Sequence, residues 1–162
     1  MKDSLLREIE IMDTTLRDGE QTNGVSFVPH EKLMIARLLL DGVKVDRIEV
    51  ASARVSDGEH EAVTMICDWA KRHNHLYQVE VLGFIDGHTS VDWIHSTGCR
   101  VINMLCKGSE KHCTYQLKKT VAEHIEDIKQ SLASRPEAVT LTLAVVEDLP
   151  YRGIITSFVT NS

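Results

Sequence analysis

Short apolar runs alternate with longer amphipathic stretches along most of the chain. Five apolar runs predict strands: IEIMDTTL (9–16), DRIEVASA (46–53), QVEVLGFI (78–85), RVINMLCKG (100–108) and AVTLTLAVVED (138–148). Four stretches between them have helical spacing: 29–43, 57–73, 89–98 and 115–134. Strands that alternate with helices form βαβ units, so the pattern predicts an α/β fold with a parallel sheet.

Two parallel architectures compete for this pattern, an open doubly wound sheet and a barrel. The doubly wound dinucleotide sheet needs a glycine-rich loop after its first strand, and RDGEQTNG contains no GxGxxG. Polar residues lie within or directly after the predicted strands: Arg17, Asp18, Glu49, Asn103, Glu147 and Asp148. Charges on apolar strands are costly unless they converge, and barrels gather their chemistry at the carboxyl ends of the strands. The pattern therefore favours a barrel.

Composition narrows the class of protein further. A chain of 162 residues with 43% hydrophobic content suffices for one domain. The net charge of −6 argues against a nucleic-acid partner, which requires clustered Lys and Arg. No apolar run reaches the roughly 18 residues that cross a bilayer, and the N-terminus lacks the features of a secretory signal. We therefore expect a cytoplasmic protein without a membrane partner.

Cysteines and histidines offer few metal-binding patterns. The four cysteines form no CxxC pair, so we expect buried free thiols. His73 and His75 form an HxH pair, but they connect a helix to the next strand at the end of the barrel opposite the strand carboxyl ends. Two partial HExxH patterns, beginning at His30 and His60, lack the closing histidine. None of these patterns predicts a metal site.

Several segments, taken together and in order, carry a family resemblance: IMDTTLRDGEQT, IEVASARVSDGE, VLGFIDGHTSVDWI and VINMLCKGS. They resemble the N-terminal catalytic region of the DRE-TIM metallolyase superfamily, and most of all its acetyl-CoA-dependent 2-isopropylmalate and (R)-citramalate synthases. The resemblance implies a partial (β/α)₈ barrel with about four βα units and a fifth strand. Residues 1–148 would belong to that catalytic domain, and 149–162 form a divergent tail.

The resemblance also implies a function in branched-chain amino-acid biosynthesis. Such enzymes join acetyl-CoA to a 2-oxo acid in a Claisen-type condensation and use Mg²⁺ or Mn²⁺. By position, Arg17 and Glu147 match catalytic residues, Asp18 matches a metal ligand, and Gln21, Leu82 and Leu105 match substrate-binding residues. Arg17 would stabilise the enolate oxygen, while the two leucines would form part of the apolar wall that selects the 2-oxo acid.

The chain departs from the family in length. A complete (β/α)₈ barrel takes about 250 residues, and the family's second metal-binding element, an HxH on the seventh strand, has no counterpart here. We therefore expect a fragment that is inactive alone. Two other hypotheses stay open: a non-catalytic half-barrel that serves assembly or regulation, and a related enzyme such as a homocitrate synthase or a 3-hydroxy-3-methylglutaryl-CoA-type lyase.

An incomplete barrel also predicts self-association. Its first and fifth strands would each have an unpaired edge, beside apolar positions such as Ile9, Ile11 and Leu141. We expect a homo-oligomer that covers these edges. The alternative is that the apolar tail GIITSFVT folds back over one of them.

Overall fold

The described residues form one six-stranded sheet with helices between its successive parallel strands. The structure is a computed structural model that describes residues 9–137, 139–146 and 155–160, with the backbone alone for 143–146 and 155–160. The strands are β1 (Met12–Asp13), β2 (Arg47–Ser52), β3 (Val79–Phe84), β4 (Val101–Lys107), β5 (Thr140–Val146) and β6 (Ile155–Thr160). The helices are α1 (Pro29–Arg37), α2 (Asp57–Arg72), α3 (Thr89–Ser96), α4 (Glu110–His112) and α5 (Val121–Ala133).

The strands lie in sequence order from β1 to β6, and β1 to β5 are parallel. This arrangement confirms the predicted α/β class and the partial barrel of four βα units with a fifth strand. Every helix in the described part of the chain is too short or too polar to cross a membrane.

The first strand is much shorter than predicted. The Asp13 side chain accepts hydrogen bonds from the Thr15 backbone N–H at 2.9 Å and from the Thr15 hydroxyl at 3.2 Å. Such a local turn ends a strand because the carboxylate takes the place of a ladder partner. The apolar residues Ile9 and Ile11 precede this short strand and are exposed, beside the edge that the sequence predicted to be unpaired.

The predicted helix 29–43 changes its winding near its end. Residues Leu38–Val43 form a π-helical turn after α1, and the left-handed Lys44 (φ 64°) closes it. The buried stripe of α1 and this turn is formed by Lys32, Ala36 and Leu40, whereas Val43 is exposed. The stripe therefore includes a lysine, which the apolar spacing did not predict.

The predicted helix 115–134 is two elements. α4 continues as a π-helical turn over Cys113–Leu117 and ends at the left-handed Lys118 (φ 57°). α5 then begins with a capping box, in which the Thr120 hydroxyl accepts from the Glu123 N–H while the Glu123 carboxylate accepts from the Thr120 N–H. This reciprocal capping starts a new helix where the sequence suggested continuity.

The hydrophobic core lies between the helices and one face of the sheet. A Cβ at Gly83 of β3 would approach the Met104 sulfur to 2.9 Å and the Ile94 Cδ1 of α3 to 3.3 Å. The glycine therefore permits close packing of α3 on β3 and β4. Because neighbouring strand residues point to opposite faces, Asn103 and Leu105 lie on the other face, away from α3. The four cysteines are buried free thiols, as predicted.

The sixth strand covers the edge that the sequence left open. β6 pairs antiparallel with β5 from Leu141↔Thr160 to Val146↔Ile155. The structure thus shows the alternative in which the tail folds back over the sheet. The prediction that the fifth strand has an unpaired edge is wrong. Homo-oligomer formation stays a prediction, as does the division at residue 148. Glu147 and Asp148 lie outside the described residues.

Candidate active site

A tight turn presents Arg17 and Asp18 at the carboxyl end of β1. The carbonyl oxygen of Thr14 accepts hydrogen bonds from the backbone N–H groups of Arg17, Asp18 and Gly19, at 3.1, 2.7 and 3.2 Å. A short 3₁₀ helix over Gly19–Gln21 follows at once. The local sequence thus places a cation, a carboxylate and an amide within one turn.

Arg17 is fixed by a chain of polar contacts across the sheet. Its Nε donates to Glu49 Oε2 at 2.6 Å, and Asn103 Nδ2 donates to Glu49 Oε1 at 2.8 Å. Glu49 on β2 is 1% exposed and Asn103 on β4 is 5% exposed. The buried carboxylate therefore has a charged partner and an amide partner, as a buried charge requires. The sequence identified both residues as polar strand positions, and the structure joins them to Arg17.

Asn103 has unused hydrogen-bonding capacity on this face. Its Oδ1 is buried and has no hydrogen-bond partner among the described residues. Most buried amide oxygens are satisfied, so this acceptor is available to a donor group of a bound molecule or to a water.

Asp18 is the most open carboxylate of the turn. Its side chain is 57% exposed, and its Oδ1 accepts from Arg17 Nη1 at 2.7 Å. Its Oδ2 makes no hydrogen bond to a described residue, so one hard oxygen remains for a divalent cation such as Mg²⁺. The described residues contain no cluster of three or more His, Cys, Asp or Glu side chains that could hold a metal. The turn can therefore supply one ligand to a metal ion, the Asp18 carboxylate.

A cavity of about 340 Å³ opens beside the turn. Arg17 and Gln21 line it from the β1 side, and Ala51, Ser52 and Val55 line it from β2 and the loop that follows. The cavity thus lies between the carboxyl ends of two neighbouring parallel strands, where barrel enzymes bind small molecules.

A buried lysine lies next to this cavity. Lys32 of α1 is 1% exposed, and its Nζ lies 2.5 Å from Glu20 Oε2 and 2.5 Å from Glu59 Oε1. Glu20 and Glu59 both line the cavity. The Glu20 Oε1 also accepts from the Phe27 N–H at 2.8 Å, which closes the loop that carries Gln21.

The two leucines predicted to bind substrate occupy the same sheet face as Asn103. Leu82 of β3 is aligned with Asn103 in the parallel register, and Leu105 follows Asn103 by two residues on β4. Leu82 is buried at 6% exposure. Leu105 lines a second cavity of about 190 Å³ with Phe84, Lys107 and His124. Neither leucine lines the cavity beside Arg17, so their selective role stays a prediction.

Two buried titratable groups lie near the candidate site without belonging to it. His124 of α5 accepts the Lys107 N–H at 3.1 Å through Nε2, and burial lowers the pKa of its imidazole. Glu80 of β3 accepts from Arg47 Nη1 at 2.7 Å, and burial raises the pKa of its carboxyl despite that partner. Both shifts follow from the cost of burying charge.

The HxH pair occupies the connection that the sequence predicted for it. His73 caps the end of α2, where its Nδ1 lies 2.8 Å from the Trp69 carbonyl oxygen. His75 lies 3.1 Å from Asp41 Oδ1 through Nε2 and stacks on Trp69. Their contacts join α2 to its neighbours at the end of the sheet opposite Arg17.

A comparison with known protein families identifies the family of this chain. The HMGL-like family model matches residues 8–146, which include β1 to β5 and the whole turn around Arg17. The chain belongs to the HMGL-like family. This confirms the resemblance to the DRE-TIM superfamily that the motifs carried.

Individual relatives of this HMGL-like chain are named as synthases. The chain is 38% identical over 127 residues to a 2-isopropylmalate synthase of Saccharolobus solfataricus, covering 78% of this chain and 31% of that protein. It is 38% identical over 120 residues to an (R)-citramalate synthase of Methanocaldococcus jannaschii, covering 73% and 23%. The chain therefore spans less than a third of these curated relatives.

A solved relative agrees on the fold alone. An HMG-CoA lyase from Brucella melitensis matches with a TM-score of 0.58 at 21% identity, covering 91% of this chain and 53% of that one. The HMGL-like chain thus corresponds to about half of that lyase structure.

Lys32 is the buried polar residue of the site that sequence reasoning missed. The signal was available, because Lys32 lies four residues before Ala36 and eight before Leu40, on the stripe that turned out to be buried. A lysine at such a position normally indicates a long side chain that reaches water. Its burial depends on Glu20 and Glu59, whose proximity the sequence does not reveal.

Proposed function

We propose that this chain carries the Arg17–Asp18 part of an active site that condenses acetyl-CoA with a 2-oxo acid. The observation that carries the proposal is the Arg17 guanidinium, which a buried carboxylate holds beside an open carboxylate at a strand end. The related 2-isopropylmalate and (R)-citramalate synthases support it at 38% identity. The likeness to an HMG-CoA lyase concerns the fold and does not favour cleavage over condensation.

Arg17 is suited to stabilise a developing oxyanion. Its Nε and Nη1 are engaged by Glu49 and Asp18, so the guanidinium cannot rotate freely. Its Nη2 has no hydrogen-bond partner among the residues that the structure describes, and it would donate to a substrate oxygen. A preorganised donor costs little reorganisation when negative charge appears on oxygen. Guanidinium keeps its charge at every physiological pH, which suits this electrostatic role.

In the reaction, the acetyl methyl group loses a proton and its carbon attacks the carbonyl carbon of the 2-oxo acid. The carbonyl oxygen gains a proton, and hydrolysis of the thioester releases the CoA thiol. Negative charge appears first on the thioester oxygen and then on the carbonyl oxygen, and Arg17 would donate to the thioester oxygen as the methyl proton leaves.

Asp18 would hold Mg²⁺ or Mn²⁺ through its hard oxygen donors. When bound, the cation supplies Lewis-acid polarisation of the substrate carbonyl. Gln21 would contact the substrate from the cavity wall, because its side chain lines the same space as Arg17. Leu82 and Leu105 would contribute apolar area to the pocket for the 2-oxo acid side chain.

The 2-oxo acid itself belongs to this proposal, with pyruvate and 2-oxoisovalerate as the candidates. They differ by apolar bulk, and a pocket distinguishes small apolar differences by only about 1–3 kcal/mol. We therefore expect a preference of one over the other rather than absolute exclusion.

A thiol-release assay tests the function. The protein is purified from its native source at its natural length, established by intact mass, and is given acetyl-CoA with pyruvate or 2-oxoisovalerate. We expect release of the CoA thiol that depends on the 2-oxo acid. In the same protein Arg17→Ala should lower kcat by about 10²–10³ with little change in KM, because its charge partner arises in the transition state.

Arg72→Ala provides the matched control. Arg72 donates through Nε to the Asp68 carbonyl oxygen of its own helix, far from the turn, so its removal should leave turnover unchanged. The chain alone should release no thiol. Absence of 2-oxo-acid-dependent release from the natural-length protein would refute the proposed function, and equal losses in the two variants would refute the role of Arg17.

A further inference from the structure

The buried ammonium of Lys32 contacts the sequence neighbours of three site residues. Its Nζ lies 3.2 Å from the carbonyl oxygen of Leu16, which precedes Arg17. It lies 2.5 Å from the carboxylate of Glu20, which precedes Gln21. It lies 3.5 Å from the carbonyl oxygen of Val50, which follows Glu49.

These contacts come from three separate elements of the chain. Leu16 and Glu20 belong to the turn after β1, Val50 belongs to β2, and Glu59 belongs to the first turn of α2. One buried cation therefore bridges the β1 turn, the second strand and the segment that leads into α2. A shift of any of them would separate the buried Nζ from one of its oxygen partners.

Stability alone does not account for a lysine at this position. Replacing a buried ionic cluster with apolar residues of similar volume is often neutral or stabilising. Lys32 shares the buried stripe of its helix with Ala36 and Leu40, so it occupies a position where apolar residues are usual. The ammonium group differs from an apolar side chain because its N–H donors need oxygen acceptors at defined positions. It can therefore fix the positions of the groups that carry those oxygens.

We propose that Lys32 is a positioning residue that sets the orientation of the Arg17 guanidinium by fixing the backbone on either side of it. The importance of that orientation rests on the proposed function, in which Arg17 is the working cation. The contact that Lys32 controls is the hydrogen bond from Arg17 Nε to Glu49, because Lys32 holds the backbone next to both partners.

The Arg17 Nε–H signal in a ¹⁵N-correlated NMR spectrum reports this contact without any turnover. A 2.6 Å hydrogen bond to a buried carboxylate protects that proton from exchange with water. The signal is assigned by its loss in Arg17→Lys. The Nε–H of Arg72, bonded to Asp68 and assigned by Arg72→Lys, serves as an internal reference in the same spectrum.

Lys32→Met is the test variant, and Lys119→Met is the matched control. Lys119 also makes a 2.5 Å contact with a carboxylate, that of Asp127, but on an exposed part of the protein. We expect exchange of the Arg17 Nε–H to accelerate about tenfold or more in Lys32→Met, the effect of weakening one hydrogen bond to a charged group. The Arg72 signal should not change, and Lys119→Met should resemble the wild type.

A second variant separates positioning from folding. Lys32→Met leaves the partly buried carboxylates of Glu20 and Glu59 without this cation, so the triple variant Lys32→Met/Glu20→Gln/Glu59→Gln removes those charges as well. We expect this variant to fold, by its near-ultraviolet circular dichroism, and still to lose protection of the Arg17 Nε–H.

Two results would overturn the inference. Arg17 exchange within twofold of the wild type in a folded Lys32 variant would show that the guanidinium orients itself without Lys32. Failure of the triple variant to fold would make Lys32 a residue of the fold instead. Neither result depends on condensation, so a protein without thiol release that still shows the Arg17 response would separate the two proposals.

Discussion

Glu49→Gln is the substitution that most sharply tests how Arg17 is held. The amide has the same size as the carboxylate and can keep the hydrogen bond from Asn103 Nδ2. On the other side it places an N–H₂ group against Arg17 Nε, where the carboxylate accepted a hydrogen bond at 2.6 Å. The substitution therefore removes one charge and sets two donors against each other.

The magnitude follows from the burial of the two partners. Glu49 is 1% exposed and the Arg17 side chain is 18% exposed. Removing one partner of a buried pair costs about 3–5 kcal/mol. Arg17 retains Asp18 and some contact with water, so the loss should lie at the lower end, about 3 kcal/mol. With a urea m-value of about 2 kcal/mol/M, the unfolding midpoint should fall by about 1.5 M.

Urea unfolding followed by circular dichroism measures this loss. Glu126→Gln is the control, because its 3.3 Å pair with Lys129 is exposed on both sides and should change stability by no more than about 0.5 kcal/mol. In a double-mutant cycle, Arg17→Met should recover part of the loss caused by Glu49→Gln. A loss below about 1 kcal/mol, with additive effects of the two substitutions, would refute the view that Glu49 anchors Arg17.

Two further predictions concern groups outside the site. Burial lowers the pKa of His124, so its contribution to stability should be fully present above the ordinary pKa of about 6.5 and be lost as pH falls below it. The urea midpoint should change less between pH 7.5 and pH 5.5 for His124→Gln than for the wild type. Equal changes in the two proteins would contradict a lowered pKa of His124. Phe158→Pro should break the β5–β6 ladder, where Phe158 is paired with Leu143, and expose the edge of β5. Light scattering behind a sizing column should then show a mass that rises more steeply with concentration than in the wild type, and identical behaviour would mean that β6 does not protect this edge.

The central strands could be predicted from the sequence to within one residue at each end. The runs 46–53, 78–85 and 100–108 correspond to β2 (Arg47–Ser52), β3 (Val79–Phe84) and β4 (Val101–Lys107). Their near-continuous apolar character is typical of parallel strands that are buried on both faces. The length of the first strand was predicted wrongly because the Asp13 side chain competes with the hydrogen bonds between strands. Hydrophobic periodicity does not reveal such a local effect.

The candidate site could be predicted only as a set of residues. The motif around Arg17 and the polar strand positions indicated which side chains matter, and the family resemblance supplied roles for Asp18 and Gln21. Arg17 and Glu49 are 32 residues apart, and their contact depends on the register between β1 and β2. Lys32 stayed hidden because a charged residue on a helix is ordinarily solvated, and only the converging carboxylates of Glu20 and Glu59 explain its burial.

The central claim is that Asp18, held beside Arg17, is a ligand for a divalent cation. Titration of this chain with Mn²⁺, followed by water-proton relaxation, tests it with Asp18→Asn and with Asp41→Asn as a control at the opposite end of the sheet. One carboxylate forms a weak site, so the account predicts a Kd of about 10⁻⁴–10⁻³ M that Asp18→Asn abolishes and Asp41→Asn leaves unchanged. Mn²⁺ binding that persists in Asp18→Asn, or micromolar binding that depends on other residues, would contradict the account.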